Sequence, residues 1–255
     1  RKMTPANSGL NLSVVGKGGV GKTTISAALA LLLSRTGEDV FAVDGDANNC
    51  LGYVLGFPDD DLAALRPLSD MQDELEERAK PGGGGMYLLK PPVADLIDKY
   101  SLSRDGMRLL VMGSVGAGRG CACGVNAALR QVLRELIKRP EAIVVDMEAG
   151  IEHLGRSTAD ALDTMLMVAQ PYSSSIRTCR RIARMAHELG VERTIAVANG
   201  IESDADEQMI RKGLEGTRVV AVLPHIADLR EPINNNSPAT DRLLAGLEPV
   251  VENLQ

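Results

Sequence analysis

The stretch Leu12–Thr24, LSVVGKGGVGKTT, constrains this chain more than any other. Gly16 to Thr23 fit the spacing G-x-x-x-x-G-K-[ST], a loop whose backbone N–H groups converge on phosphate oxygens. A β-carbon would obstruct that approach, so Gly16, Gly18, Gly19 and Gly21, with Val20 between them, form the cradle. The apolar run Leu10 to Val15 predicts a buried strand before the loop, and the Ala/Leu-rich run from Thr23 to Ser34 predicts a helix after it. In that setting Lys22 supplies charge to the β/γ-phosphates of ATP or ADP. The Thr23 hydroxyl is suited to ligate Mg²⁺, and Thr24 continues the helix start, whose dipole favours an anion.

Strands alternate with helices along the rest of the chain. Val40–Val43, Arg108–Met112, Ala142–Val145, Thr164–Ala169, Thr194–Ala198 and Val219–Leu223 read as strands, with helices over Asn126–Lys138, Ser173–Leu189 and Asp241–Leu254. This order predicts an α/β fold: a doubly wound, mostly parallel sheet with helices on both faces and ligands at the strands' C-terminal ends. The chain of 255 residues reads as a single domain, residues 1–255, with an insertion at about 58–105. Within the insertion, Asp59-Asp60-Asp61 cap a short helix, Met71–Lys80 is a charged helical stretch, Gly82–Gly85 a loop and Val93–Tyr100 a short helix.

Composition excludes several classes. A net charge of −6 argues against a surface devoted to nucleic acid. No apolar run approaches the ~20 residues of a membrane span, and Arg1-Lys2 are followed by polar or small residues rather than a signal-peptide core. Four cysteines do not make a disulfide framework in a chain of this size, so reduced thiols and a cytoplasmic location are expected. Cys50 and Cys179 lack a Cys or His neighbour at ligand spacing and read as core-type thiols. Arg177, Arg180, Arg181 and Arg184 read as the solvated face of their helix.

Three segments carry further chemistry. Asp44 and Asp46 follow the second strand, at the end of the sheet where such folds bind ligands, and also suit a turn or helix cap. Asp146 ends a fully apolar strand, the Walker B arrangement, which assigns it to the Mg²⁺ shell; Gly150 then lets the backbone approach the γ-phosphate. Cys121 and Cys123 form a C-x-C pair on a glycine-rich loop before a helix, a position that favours thiolates. One pair supplies two ligands where a tetrahedral thiolate site needs four, and two-fold symmetry in a homodimer would complete the set. Tetrahedral thiolates suit Zn²⁺, while Ni²⁺ would pull them toward a square plane, and the pair by itself leaves nickel, zinc and an iron–sulfur cluster open. His153 reads as a hydrogen-bonded group rather than a ligand.

The loop G-K-G-G-V-G-K-T-T resembles the deviant phosphate loop of the MinD/ParA/nitrogenase-iron-protein group of dimeric ATPases. The resemblance implies that Lys17 reaches across a face-to-face dimer to the partner's nucleotide. It also implies that Asp46 orients or activates the attacking water and that Asp44 approaches Mg²⁺ through water. Asn199 would read the adenine and Pro224 would open a second base-side loop. Ala47 stands where the group has Pro, and Gly200 where it has Lys or Arg. The run from Asp146 to Gly155, the C-x-C loop and the phosphate loop together resemble CooC-type ATPases, maturation factors that serve nickel insertion into carbon monoxide dehydrogenase. An ATP- and metal-promoted homodimer delivering nickel to that client, with neither nucleic acid nor membrane as partner, is the function implied. Two alternatives remain open: an iron–sulfur cluster carrier or electron-transfer ATPase, and a MinD/ParA-type positioning ATPase. The last would want a basic tail, whereas Asp241, Glu248 and Glu252 face only Arg242 in the final helix.

Overall fold

Strands of four to nine residues, most of them followed by a helix among the described residues, assemble largely as the sequence pattern predicts. The computed structural model describes residues 10–46, 48–79, 88, 92–113, 131–147 and 163–254. Among them are strands β1 (Asn11–Gly16), β2 (Val40–Gly45), β3 (Ser101–Arg104), β4 (Met107–Val111), β5 (Ala142–Met147), β6 (Thr164–Ala169), β7 (Arg193–Ile201) and β8 (Arg218–Pro224). These eight form one sheet in the order β3-β4-β2-β5-β1-β6-β7-β8. Every pairing is parallel except β3 with β4. The helices are α1 (Lys22–Arg35), α2 (Leu51–Leu55), α3 (Asp59–Ala64), α4 (Gln72–Ala79), α5 (Ala94–Lys99), α6 (131–136), α7 (Ser173–Leu189), α8 (Asp204–Gly213) and α9 (Pro238–Leu254).

A parallel sheet covered on both faces needs strands that are apolar throughout. β1, β5 and β6 are buried along their whole length. Their period of two divides the core. Leu12, Val14, Ala42, Val144, Leu166, Val168 and Val197 pack on one face with α1 and α9, while Val15, Val43, Val145, Met167 and Ala198 pack on the other with α5 and α7. The final helix contributes Leu243, Leu244, Leu247, Val250 and Val251, as its pattern predicts. Aromatic packing is sparse; Phe41 is fully buried, with the guanidinium groups of Arg108 and Arg139 each 5.2 Å from its ring centre.

The structure adds elements that the sequence reading passed over. β3 pairs antiparallel with β4 as a sheet edge, so the last residues of the 58–105 segment belong to the sheet. Arg104 pairs with Met107, and the turn between them is Asp105-Gly106, both at positive φ (50° and 77°). That dipeptide is a strong short-range hairpin signal, and it was legible in the sequence. α2 follows the second strand, and α8 is opened by a capping box in which Ser203 and Asp206 satisfy each other's backbone N–H groups. At α3, Pro58 holds the cap and the three aspartates form the first turn, where they favour the helix dipole instead. Cys50 is a correction: it is exposed at the start of α2, whereas Cys179 is in the core. Arg177, Arg180, Arg181 and Arg184 are exposed along α7 as expected.

Gly106→Ala forces a side chain into a left-handed conformation and is expected to cost about 1–2 kcal/mol in urea unfolding. The turn lies at the N-terminal end of β4, away from the strands' C-terminal ends, so nucleotide affinity should be unchanged.

Candidate nucleotide site

The phosphate loop joins β1 to α1 at the C-terminal edge of the sheet, between the two strands that flank β1. Val20 is fully buried beneath it, while Gly18 and Gly19 are exposed. Lys22 is 7% exposed, and its Nζ donates to the Lys17 carbonyl at 3.4 Å, so the ammonium is folded back under the loop. Lys17 itself is half-buried. A cavity of about 500 Å³ opens above the loop, lined by Gly18, Gly19, Gly21, Lys22, Thr23, Thr24, Asp46 and Asn48. The loop residues and Asp46 named from the sequence therefore converge on one space.

Beneath that space sit two carboxylates. Asp44 on β2 and Asp146 on β5 are cross-strand partners on adjacent parallel strands. Both point to the α1 face, because Val40 and Ala42 precede Asp44, and Ala142 and Val144 precede Asp146, at alternate positions. Asp44 is fully buried; its Oδ1 accepts from the Asp46 N–H at 3.1 Å and its Oδ2 from the Leu51 N–H at 2.9 Å. It thus folds the segment after β2 and starts α2. Burial pushes its carboxyl up to about 7, against those two backbone hydrogen bonds, and the carboxylates of Asp146 and Asp46 push the same way. Asp46 Oδ1 accepts from both the backbone N–H and the side-chain amide of Asn48 at 2.9 Å, an Asx turn.

Asp146 is 1% exposed, and its Oδ1 accepts from the Ser26 hydroxyl at 3.1 Å. Burial raises its pKa, opposed by hydrogen bonds from Thr23 and Ser26 and by the charge of Lys22. Its Oδ2 is buried with no hydrogen-bond partner among the described residues. A hard divalent cation beside Thr23 would supply the partner that oxygen lacks, so these residues fit Mg²⁺. Ser26, one turn into α1, was not singled out in the sequence, since a serine in an Ala/Leu-rich helix carries no motif.

A second, narrower cavity of about 160 Å³ adjoins the loop, lined by residues including Gly21, Thr24, Gln170, Asn199, Pro224 and Leu229. Asn199 and Pro224, assigned to the base side, meet here, and the two cavities share Gly21 and Thr24. Gln170 and Leu229 were missed, because neither belongs to a spaced motif. A cavity of about 490 Å³ among Leu10, Leu33, Asp163 and Arg193 lies at the opposite end of the sheet, where an α/β fold does not bind its ligand. Cys121, Cys123, Gly150 and His153 lie outside the described residues, as does Ala47. Among the described residues no cluster of three His, Cys, Asp or Glu is arranged to hold a metal ion.

Residues 13–239 match the model of the CobQ/CobB/MinD/ParA nucleotide binding domain family. The carbon monoxide dehydrogenase accessory protein CooC of Rhodospirillum rubrum is 40% identical over 77% of this chain and 76% of its own. The chain belongs to this nucleotide-binding family, as a CooC-type member of its MinD/ParA group. An uncharacterized ATP-binding protein of Methanocaldococcus jannaschii is 36% identical to this CooC-type chain over 92% of it and 95% of the relative. In fold the chain is similar to the septum site-determining protein MinD of Pyrococcus horikoshii, complexed with Mg-ADP, at a TM-score of 0.66 and 22% identity over 96% of this chain and 98% of that one. MinD of Pyrococcus furiosus gives a TM-score of 0.65 over 96% and 99%. No helix among the described residues is long and apolar enough to cross a membrane.

An acid whose folded-state pKa lies above its unfolded value binds its proton more tightly when folded. The stability that Asp44 contributes is therefore complete below about pH 4 and is lost as pH rises through about 7. Nucleotide-free protein is expected to lose a few kcal/mol of stability across that window in denaturant titrations. Asp44→Asn should flatten the slope, and an unchanged slope would mean that another group controls it.

Proposed function

We propose that this chain is a Mg²⁺-dependent ATPase that dimerises on ATP and couples ATP binding and hydrolysis to delivery of nickel into the active-site cluster of a carbon monoxide dehydrogenase. The observation that carries this reading is the phosphate loop with its second lysine, Lys17, beside a cavity bordered by Asp46. The 40% identity to an accessory protein of carbon monoxide dehydrogenase supports the choice of client.

The chemistry falls to few residues. Phosphoryl transfer needs positioning and charge neutralisation more than covalent help. Backbone N–H groups of the loop bind the β- and γ-phosphates, and Lys22 holds its ammonium below them. Lys17 of each protomer reaches the nucleotide of the other, so turnover requires the dimer. Asp46, fixed by its Asx turn with Asn48, orients the attacking water and accepts its proton at the carboxylate. Thr23 and Asp146 would hold Mg²⁺, which when bound neutralises phosphate oxygens. Pro224 and Asn199 border the base.

Nickel is cargo rather than a resident cofactor here, and zinc competes for the same ligands. Cys121 and Cys123 from two protomers supply four thiolates to one ion. Because the ion and ATP favour the same association, each tightens the other by linkage, typically by ~1–3 kcal/mol. Hydrolysis then parts the two loops and releases the ion to the client. The dimer works in the cytoplasm, as one ATPase domain per chain with the 58–105 segment as its insertion.

Lys22→Ala should abolish ATP turnover, measured as phosphate release. Lys17→Ala should retain nucleotide binding yet lose turnover and ATP-dependent dimerisation by light scattering; a wild-type rate in this variant removes the trans-acting role. Anaerobic metal titration should give one ion per two chains, lost in Cys121→Ala and Cys123→Ala while basal ATPase activity persists. One ion per chain, or the absorption of an iron–sulfur cluster, would replace the nickel reading.

A further inference from the structure

Asn199 lies near the C-terminal end of β7 on the same sheet face as Ile195 and Val197, which points it at α1 and the phosphate loop. Its Nδ2 donates to the carbonyl of Val20 at 2.8 Å. The contact is close-fitting, since a β-carbon on Gly21 would lie 2.8 Å from the same nitrogen. Val20 stands between Gly19 and Gly21, at φ 79° and 91°, two residues whose backbones have no side chain to fix them. A trans peptide holds its C=O and N–H antiparallel. Fixing the Val20 carbonyl toward β7 therefore turns the Gly21 N–H the opposite way.

The next residue explains how Asn199 is free for this contact. Asn199 pairs with Leu223 and Ile201 with Pro224, leaving Gly200 as an extra residue in β7, at φ 73°. This bulge ends the regular pleat immediately after Asn199. Gln170 lies beside this bulge, its Nε2 at ordinary contact distance, 3.4 Å, from where a β-carbon on Gly200 would stand. Tyr172 donates its hydroxyl to Gln170 Oε1, so the Gln170 amide keeps its N–H groups for the base-side cavity that it lines.

We infer that Asn199 is a positioning residue for the phosphate loop: its amide clamps the Val20 carbonyl and so aims the loop's N–H groups at phosphate, whatever base is bound. Polar recognition of the base then falls to Gln170 together with the oxygen of the Asn199 amide. This deepens the nucleotide-site reading and rests on it. The consequence is that a ligand with phosphates and no base must still feel the loss of Asn199.

The test compares ATP with inorganic tripolyphosphate, both with Mg²⁺, by calorimetric titration of wild type, Asn199→Ala and Asn199→Ser. Serine is one bond too short to reach Val20, and melting curves without ligand verify that each variant is folded. The clamp predicts that both variants lose about threefold to tenfold in affinity for tripolyphosphate and at least as much for ATP. Loss of ATP affinity with tripolyphosphate unchanged makes Asn199 a reader of the base alone and overturns the clamp. Unchanged affinity for both overturns it equally. A wild type that binds neither ligand overturns the nucleotide site itself, and the clamp with it.

Discussion

Two carboxylates buried side by side are the constraint around which the nucleotide end of this molecule is arranged. Asp44 and Asp146 face each other across adjacent strands with almost no access to water, where a lone charge is costly. Asp44 is satisfied by backbone N–H groups of the segment it folds, and burial raises its pKa. Asp146 is satisfied in part by α1, and its other oxygen has no partner among the described residues.

The period of the sheet explains how several separate strands deliver polar groups to one place. On the α1 face, Leu12 and Val14 lead to Gly16, Ala42 to Asp44, Val144 to Asp146, Val168 to Gln170 and Val197 to Asn199. In each strand the apolar positions build the core and the next residue of the same phase emerges at the C-terminal edge. Core and site are thus written by the same alternation. The phosphate loop crosses this edge at β1, the middle of the reversal in strand order, so every one of these groups is near it.

The hydrogen bonds of the site tie loops to strands more than side chains to side chains. Asp44 folds the entry to α2, Asp46 closes an Asx turn, and Asn199 holds the phosphate loop from the other side. Of these contacts the Asn199 bond to Val20 holds the phosphate loop, and the two aspartates fold the segment after β2.

The amino-acid sequence determined the fold class and the phosphate loop, because both rest on local regularities. Glycines at fixed spacing, a lysine and a threonine between an apolar run and a helical one have few other solutions. It also named Asp44, Asp46, Asp146, Asn199 and Pro224 through strand ends and family resemblance. Tertiary structure decided what those groups touch. That Asp44 and Asp146 share one register, that Asn199 reaches the Val20 carbonyl over 179 positions of chain, and that Ser26 and Gln170 join the site depend on which strands lie side by side. Strand order is fixed by burying both faces of the whole sheet at once, a property of the assembled chain that no single segment contains.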